Sequence, residues 1–153
     1  MPRATEIKRP EMTEVSFYIM RGGGSEDRFG FITRLVEKLY RNGHKVHLHC
    51  DDPEQLTRLD QLLWTLRDIG FVPHEIADSP MDACPVTLSL APFSGDCEVL
   101  INLARNVPDF FSQFERVAEI PGIAAEDIEE ARLRYRFYQA RGYKLQSHNI
   151  DLA

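Results

Sequence analysis

Along its first half the chain switches three times between a two-residue and a 3.6-residue hydrophobic period. Val15 to Met20, VSFYIM, reads as a buried strand, and Arg21-Gly22-Gly23-Gly24-Ser25 breaks it. From Arg28 to Asn42, Phe29, Ile32, Leu35, Val36 and Leu39 recur at helical spacing, and Asn42-Gly43 supplies a stop. Lys45 to Cys50, KVHLHC, returns to strand spacing. Asp52 then offers an N-cap and Pro53 a first helical position, with Leu56, Leu59, Leu62 and Leu63 continuing a helix to about Trp64. Strand, helix, strand, helix predicts an α/β domain with a mostly parallel central sheet. The chain has 153 residues, which suits one such domain.

The second half is less regular. Asp68 to Ile76 reads as a turn-rich connection with a short strand, and Val86 to Ala91 and Glu98 to Leu103 as two further strands. The link between those two is too short for a parallel crossover, so they either pair antiparallel or are not neighbours. Pro108 is expected to open a helix with Phe110, Phe111, Phe114 and Val117 inward, ending at Pro121-Gly122. A last helix runs from about Ala125 to Ala140 and stops near Gly142. Residues 1–13, with Pro2 and Pro10 and no apolar period, read as a flexible lead to a single domain over residues 14–153.

A formal net charge of -6 argues against a general nucleic-acid coat. Against that acidity, ARLRYRFYQARGYKL sets Arg132, Arg134, Arg136, Arg141 and Lys144 among Tyr135, Phe137, Tyr138 and Tyr143. Such a patch suits an anionic ligand with an apolar end. An ordinary helix also accounts for it: Glu126, Asp127, Glu129 and Glu130 precede the bases, which complements the macrodipole. Ile128, Ala131, Tyr135 and Tyr138 would then form a stripe facing the core.

Cys50, Cys84 and Cys97 contain no CxxC pair and read as reduced thiols. The start lacks the apolar stretch of a signal peptide, and no apolar run approaches membrane-spanning length, so a cytoplasmic protein is expected. RGGGS after the first strand resembles a phosphate cradle only loosely. The GK[ST] ending is missing, and Asp27 stands where the final glycine of G-x-G-x-x-G belongs. His47 and His49 share one strand face without a convincing third ligand and read as surface residues. Asp52 and Glu54 are explained by helix capping and first-turn electrostatics. Neither cofactor nor metal nor catalytic residue is expected. The alternative is a nucleotide- or phosphate-binding α/β enzyme using the Gly22–Gly24 loop with Asp51-Asp52. A second alternative is direct single-strand binding by the basic, aromatic stretch.

Four stretches in order, VSFYIM, DQLLWTLRDIGFVPHEI (60–76), VLINLARNVPDFFSQFERVAEI (99–120) and RLRYRFYQARGY, resemble the chi subunit of bacterial DNA polymerase III. The resemblance implies a three-layer, Rossmann-like single domain with no nucleotide-binding fingerprint and no catalytic site of its own, within a DNA-directed DNA polymerase holoenzyme. It implies pairing with the psi subunit, which tethers chi to the tau/gamma clamp loader, with a helicase as a second partner at that surface. It further implies binding of the acidic C-terminal tail of single-stranded DNA-binding protein, so that DNA is reached only indirectly and no membrane is involved. Arg132 and Tyr135 match the family's tail-binding Arg and aromatic, and Ser147 matches a hydroxyl beside the pocket. Ile128 departs from the pattern, since some members carry Lys there; the resemblance then implies either a lower tail affinity or compensation by Arg136 or Lys144. Trp64 and Phe71 match the psi-binding aromatics. The lead of residues 1–13 is a further departure.

Overall fold

The computed structural model describes residues 13–65, 72–76, 84–92 and 97–151. Its strands are β1 (Glu14–Arg21), β2 (Val46–His49), β3 (His74–Ile76), β4 (Val86–Ser89), β5 (Val99–Asn102), β6 (Arg116–Glu119) and β7 (Lys144–Asp151). Its helices are α1 (Ser25–Arg41), α2 (Pro53–Trp64) and α3 (Ala125–Ala140). Among the described residues the strands form one sheet in the order β3-β4-β2-β5-β6-β1-β7, and every pairing is parallel.

The expected caps are present. Asp52 accepts a hydrogen bond from the Gln55 amide at 2.8 Å, with Pro53 at the start of α2. Glu26 and Asp27 open α1, and Lys38 and Arg41 close it, as the helix dipole favours. On one face of the sheet, Ile32, Val36 and Leu39 of α1 and Leu59 and Leu63 of α2 bury Leu48, Leu88 and Ile101. On the other, Ala131 and Tyr138 of α3 join Phe110, Phe111 and Phe114 over Phe17, Leu100 and Val117. The result is three layers in the Rossmann-like manner.

Val86–Ser89 and Val99–Asn102 are not neighbours. β2 lies between them and pairs with both, which resolves the expected choice toward separation. The helix expected from Pro108 is absent. Phe111–Gln113 forms one 3-10 turn, and Arg116–Glu119 is strand β6. The phenylalanine spacing mimics a helix turn, but Val117 and Ala118 go to opposite faces, as strand geometry requires. β7 has no counterpart in the sequence reading. It pairs with β1 along all eight residues, although KLQSHNID holds only Leu145 and Ile150 as apolar positions, and they face opposite sides. Gly142, at φ 80, makes the turn from α3 into it. Residues 1–12 of the expected lead lie outside the described residues. Thr13 is buried, and its hydroxyl donates to the Phe114 carbonyl at 2.7 Å.

A buried polar network joins sheet to helix. Glu119, on β6, has no exposed surface. Its Oε1 accepts from Arg134 Nε at 2.8 Å, and its Oε2 accepts from the Tyr138 hydroxyl at 2.7 Å and Asn102 Nδ2 at 2.9 Å. Arg134 Nη1 donates onward to the Arg105 carbonyl at 2.9 Å. Burial pushes the Glu119 carboxyl upward, and Arg134 opposes that shift.

His47 corrects the surface reading of the KVHLHC histidines. It is fully buried, its Nδ1 is 2.7 Å from Thr87 Oγ1, and it stacks on Phe114. Burial, then repulsion from His49, pulls its pKa down to about 3 from 6.5. Between those values the unfolded chain binds the additional proton, so stability falls as pH drops from 6.5 toward 3. We expect the urea-unfolding free energy to lose up to about 1.4 kcal/mol per pH unit from this residue across that window. His47→Gln should flatten the profile there; parallel profiles for the two proteins would refute the assignment.

Candidate functional site

α3 leans across β1 on its way to β7, and a cavity of about 380 Å³ opens along that crossing. Phe17 and Ile19 of β1 line it beside Ala131 and Tyr135 of α3, and Pro121-Gly122-Ile123 closes the end. The Phe17 and Tyr135 rings are 5.3 Å apart. Ile123 and Ile128 stand on the lining with 45% and 42% of their surface exposed, so apolar area faces water at the mouth. The Pro121–Gly122 corner is held close: a Cβ on Gly122 would collide with the Asp127 carboxylate, which accepts from the Ala124 amide at 3.3 Å.

Three of the four expected tail-binding residues converge here. Arg132, Tyr135 and Ser147 all line the cavity, Ser147 coming from β7, where it stands opposite Phe17 of β1. Arg132 is exposed and has no hydrogen bond or ion pair with any described residue. Arg136 is exposed on α3 but does not line the cavity. Lys144 lies 3.8 Å from Glu14 at the start of β1. Ile128 puts a hydrocarbon wall on the cavity lining. The anticipated stripe is split in use. Ala131 and Tyr138 are buried, whereas Tyr135 is half-buried and Ile128 is exposed.

The sequence reading missed Phe17, Ile19 and the 121–123 corner as pocket walls. The inward positions of VSFYIM and the Pro-Gly after a strand carried that signal. It also missed that Arg134, in the middle of the basic run, points into the protein and is only 7% exposed.

The second expected surface lies at the opposite end of the sheet. Trp64, at the end of α2, is 50% exposed, and Ile76 on β3 is 48% exposed. Phe71 lies outside the described residues. At the glycine loop, Gly22 and Gly23 adopt φ 75 and 73, and the Gly24 amide donates to Asp27 at 2.9 Å. A carboxylate thus takes up the loop amide that a phosphate would seek. Among the described residues no three His, Cys, Asp or Glu side chains form a metal-holding group, and no helix is long and apolar enough to cross a membrane.

The family profile described as DNA polymerase III chi subunit, HolC, matches residues 12–146. The chain is 39% identical over 140 residues to DNA polymerase III subunit chi of Pseudomonas aeruginosa, covering 91% of this chain and 98% of that protein. It is 28% identical over 143 residues to subunit chi of Escherichia coli, covering 89% and 97%. To subunit chi of Haemophilus influenzae it is 26% identical over 121 residues, covering 76% and 83%.

The two arginines two positions apart should respond oppositely to truncation. Arg134→Ala leaves Glu119 buried without its counter-charge and is expected to cost about 3–5 kcal/mol of unfolding free energy. Arg132→Ala removes an exposed cation and should stay within about 0.5 kcal/mol of the parent. Denaturant titration of both variants checks this, and equal losses would overturn the placement of the two side chains.

Proposed function

The chain belongs to the DNA polymerase III chi subunit family, and we propose that it serves the holoenzyme by docking two proteins at separate surfaces. One is the acidic C-terminal tail of single-stranded DNA-binding protein; the other is the psi subunit, and through it the tau/gamma clamp loader. The observation that carries the tail reading is the apolar cavity with the Arg132 guanidinium, unpaired among the described residues, on its lining. A peptide ending in Phe places its ring in the cavity, and the terminal carboxylate takes a charge-assisted bond from Arg132. Tyr135 forms the wall for the ring, and the Ser147 hydroxyl is a polar contact beside it. The cavity volume of about 380 Å³ lies in the range of small-ligand sites. Arg136 acts farther along α3, on the acidic residues that precede the ring.

Trp64 supports the psi reading, since half-exposed tryptophan is a frequent interface anchor. Phe71 joins it in this proposal, and a helicase is a competing occupant of the same face. The protein works in the cytoplasm as a non-catalytic accessory and reaches DNA only through its partners.

Calorimetric titration with an acidic peptide ending in Asp-Ile-Pro-Phe should show saturable binding, lost when the final Phe is removed. Arg132→Ala should weaken binding by about 1–3 kcal/mol. Ile128→Lys should strengthen it by restoring a cation at the mouth. Full affinity without the Phe would sink the pocket assignment. Trp64→Ala should abolish psi binding while tail binding persists; loss of both would mark a folding defect instead.

A further inference from the structure

The cavity between α3 and β1 has two ends, and their chemistry differs. β6, β1 and β7 all run the same way, so α3, which returns the chain from β6 to β7, runs against β1. The first turn of α3, with Ile128, therefore lies at the carboxyl end of the sheet. Tyr135 is seven residues farther along the helix, about 10 Å back toward the amino end. There the lining is Phe17 and Ser147, with Arg132 between the two ends. At the carboxyl end α3 and the corner before it present hydrocarbon, the half-exposed Ile123 and Ile128.

β1 supplies a charge at that same end. Arg21 is its last residue, and alternation along the strand sets Arg21 on the face of Phe17 and Ile19, both of which line the cavity. Gly22 also lines it, and at φ 75 it turns the chain without placing a side chain beside the guanidinium. Arg21 is exposed and has no hydrogen bond or ion pair with any described residue. Asp151 stands opposite it on β7, yet no ion pair joins the two. The nearby acids of the glycine loop are engaged elsewhere: Asp27 accepts from the Gly24 amide, and Glu26 pairs with Arg58.

We infer that Arg21 is the second cation of this site and binds the acidic side chain nearest the ring of the docked peptide, while Arg132 holds the terminal carboxylate. The assignment rests on the tail-docking reading given above. It defines the ligand more closely: a terminal aromatic residue, two apolar residues against Ile123 and Ile128, then a carboxylate. Three residues of extended chain span about 10 Å. From Phe17 to Arg21 the strand advances four residues, about 13 Å, and the long arginine side chain closes the difference.

Calorimetric titration of the parent and Arg21→Ala with peptides ending in Asp-Ile-Pro-Phe and Asn-Ile-Pro-Phe tests this directly. The parent should prefer the Asp peptide by about threefold, as an exposed ion pair allows, and Arg21→Ala should bind the two alike. The preference should shrink as salt is raised. Arg21→Glu should invert it, favouring a peptide ending in Lys-Ile-Pro-Phe. Arg132→Ala should weaken the Asp and Asn peptides by the same factor and keep the preference. An Asp preference that survives in Arg21→Ala overturns the assignment, as does equal affinity of the parent for the Asp and Asn peptides. A parent that binds neither peptide overturns the tail reading itself, and this assignment with it.

Discussion

The contact between Glu119 and Arg134 fixes how the two halves of the molecule meet. Removing both charges from water costs several kcal/mol per ion, so the pair is tolerable only because its hydrogen bonds are satisfied. Asn102 and Tyr138 serve the carboxylate, and the Arg105 carbonyl serves the guanidinium. The participants come from β5, β6, α3 and the loop after β5. A rotation of α3 about its own axis would strand Glu119 in the interior without a partner. With Arg134 turned inward, Arg132 and Tyr135 are carried to the β1 side of the helix, where the cavity lies. The outward site is set by an inward bond.

Topology makes the cavity possible. The chain passes from β6 over β1 to reach β7, and α3 is the crossing segment. A helix that spans an intervening strand must bridge three strands with one apolar stripe. Ala131 and Tyr138 fill that stripe near its middle and end, but the region around Ile128 and Ile123 is left open over Phe17 and Ile19.

The regular elements were legible because local chemistry and tertiary demand agreed. Asp52-Pro53 announced α2, and the heptad-like leucines and valines announced α1. Legibility ended where a segment served two masters. Residues 108–119 carry helix-spaced phenylalanines and then a strand buried on both faces, so the first signal masked the second. β7 is polar because it borders the sheet, and its pairing with β1 is decided by the backbone rather than by its side chains. Arg134 was hidden among residues of its own kind: nothing in RLRYRFY distinguishes the one arginine that pairs with a carboxylate fifteen positions earlier. Arg132, Tyr135 and Ser147 were identified by resemblance, and their convergence on one cavity is a matter of three-dimensional structure that spacing alone did not contain.

Trp64 and the cavity sit toward opposite margins of the sheet, one near β3 and the other under the β1–β7 border. Six strand spacings separate β3 from β7, roughly 29 Å at about 4.8 Å each. A hydrogen-bonded parallel sheet does not stretch or fold over that span, so the protein behaves as a short rigid strut. A rigid spacer holds whatever is attached at one end within a narrow shell around the other. For the two docking surfaces proposed above, the sheet's width rather than a flexible tether's wandering would then set the distance between the two bound partners.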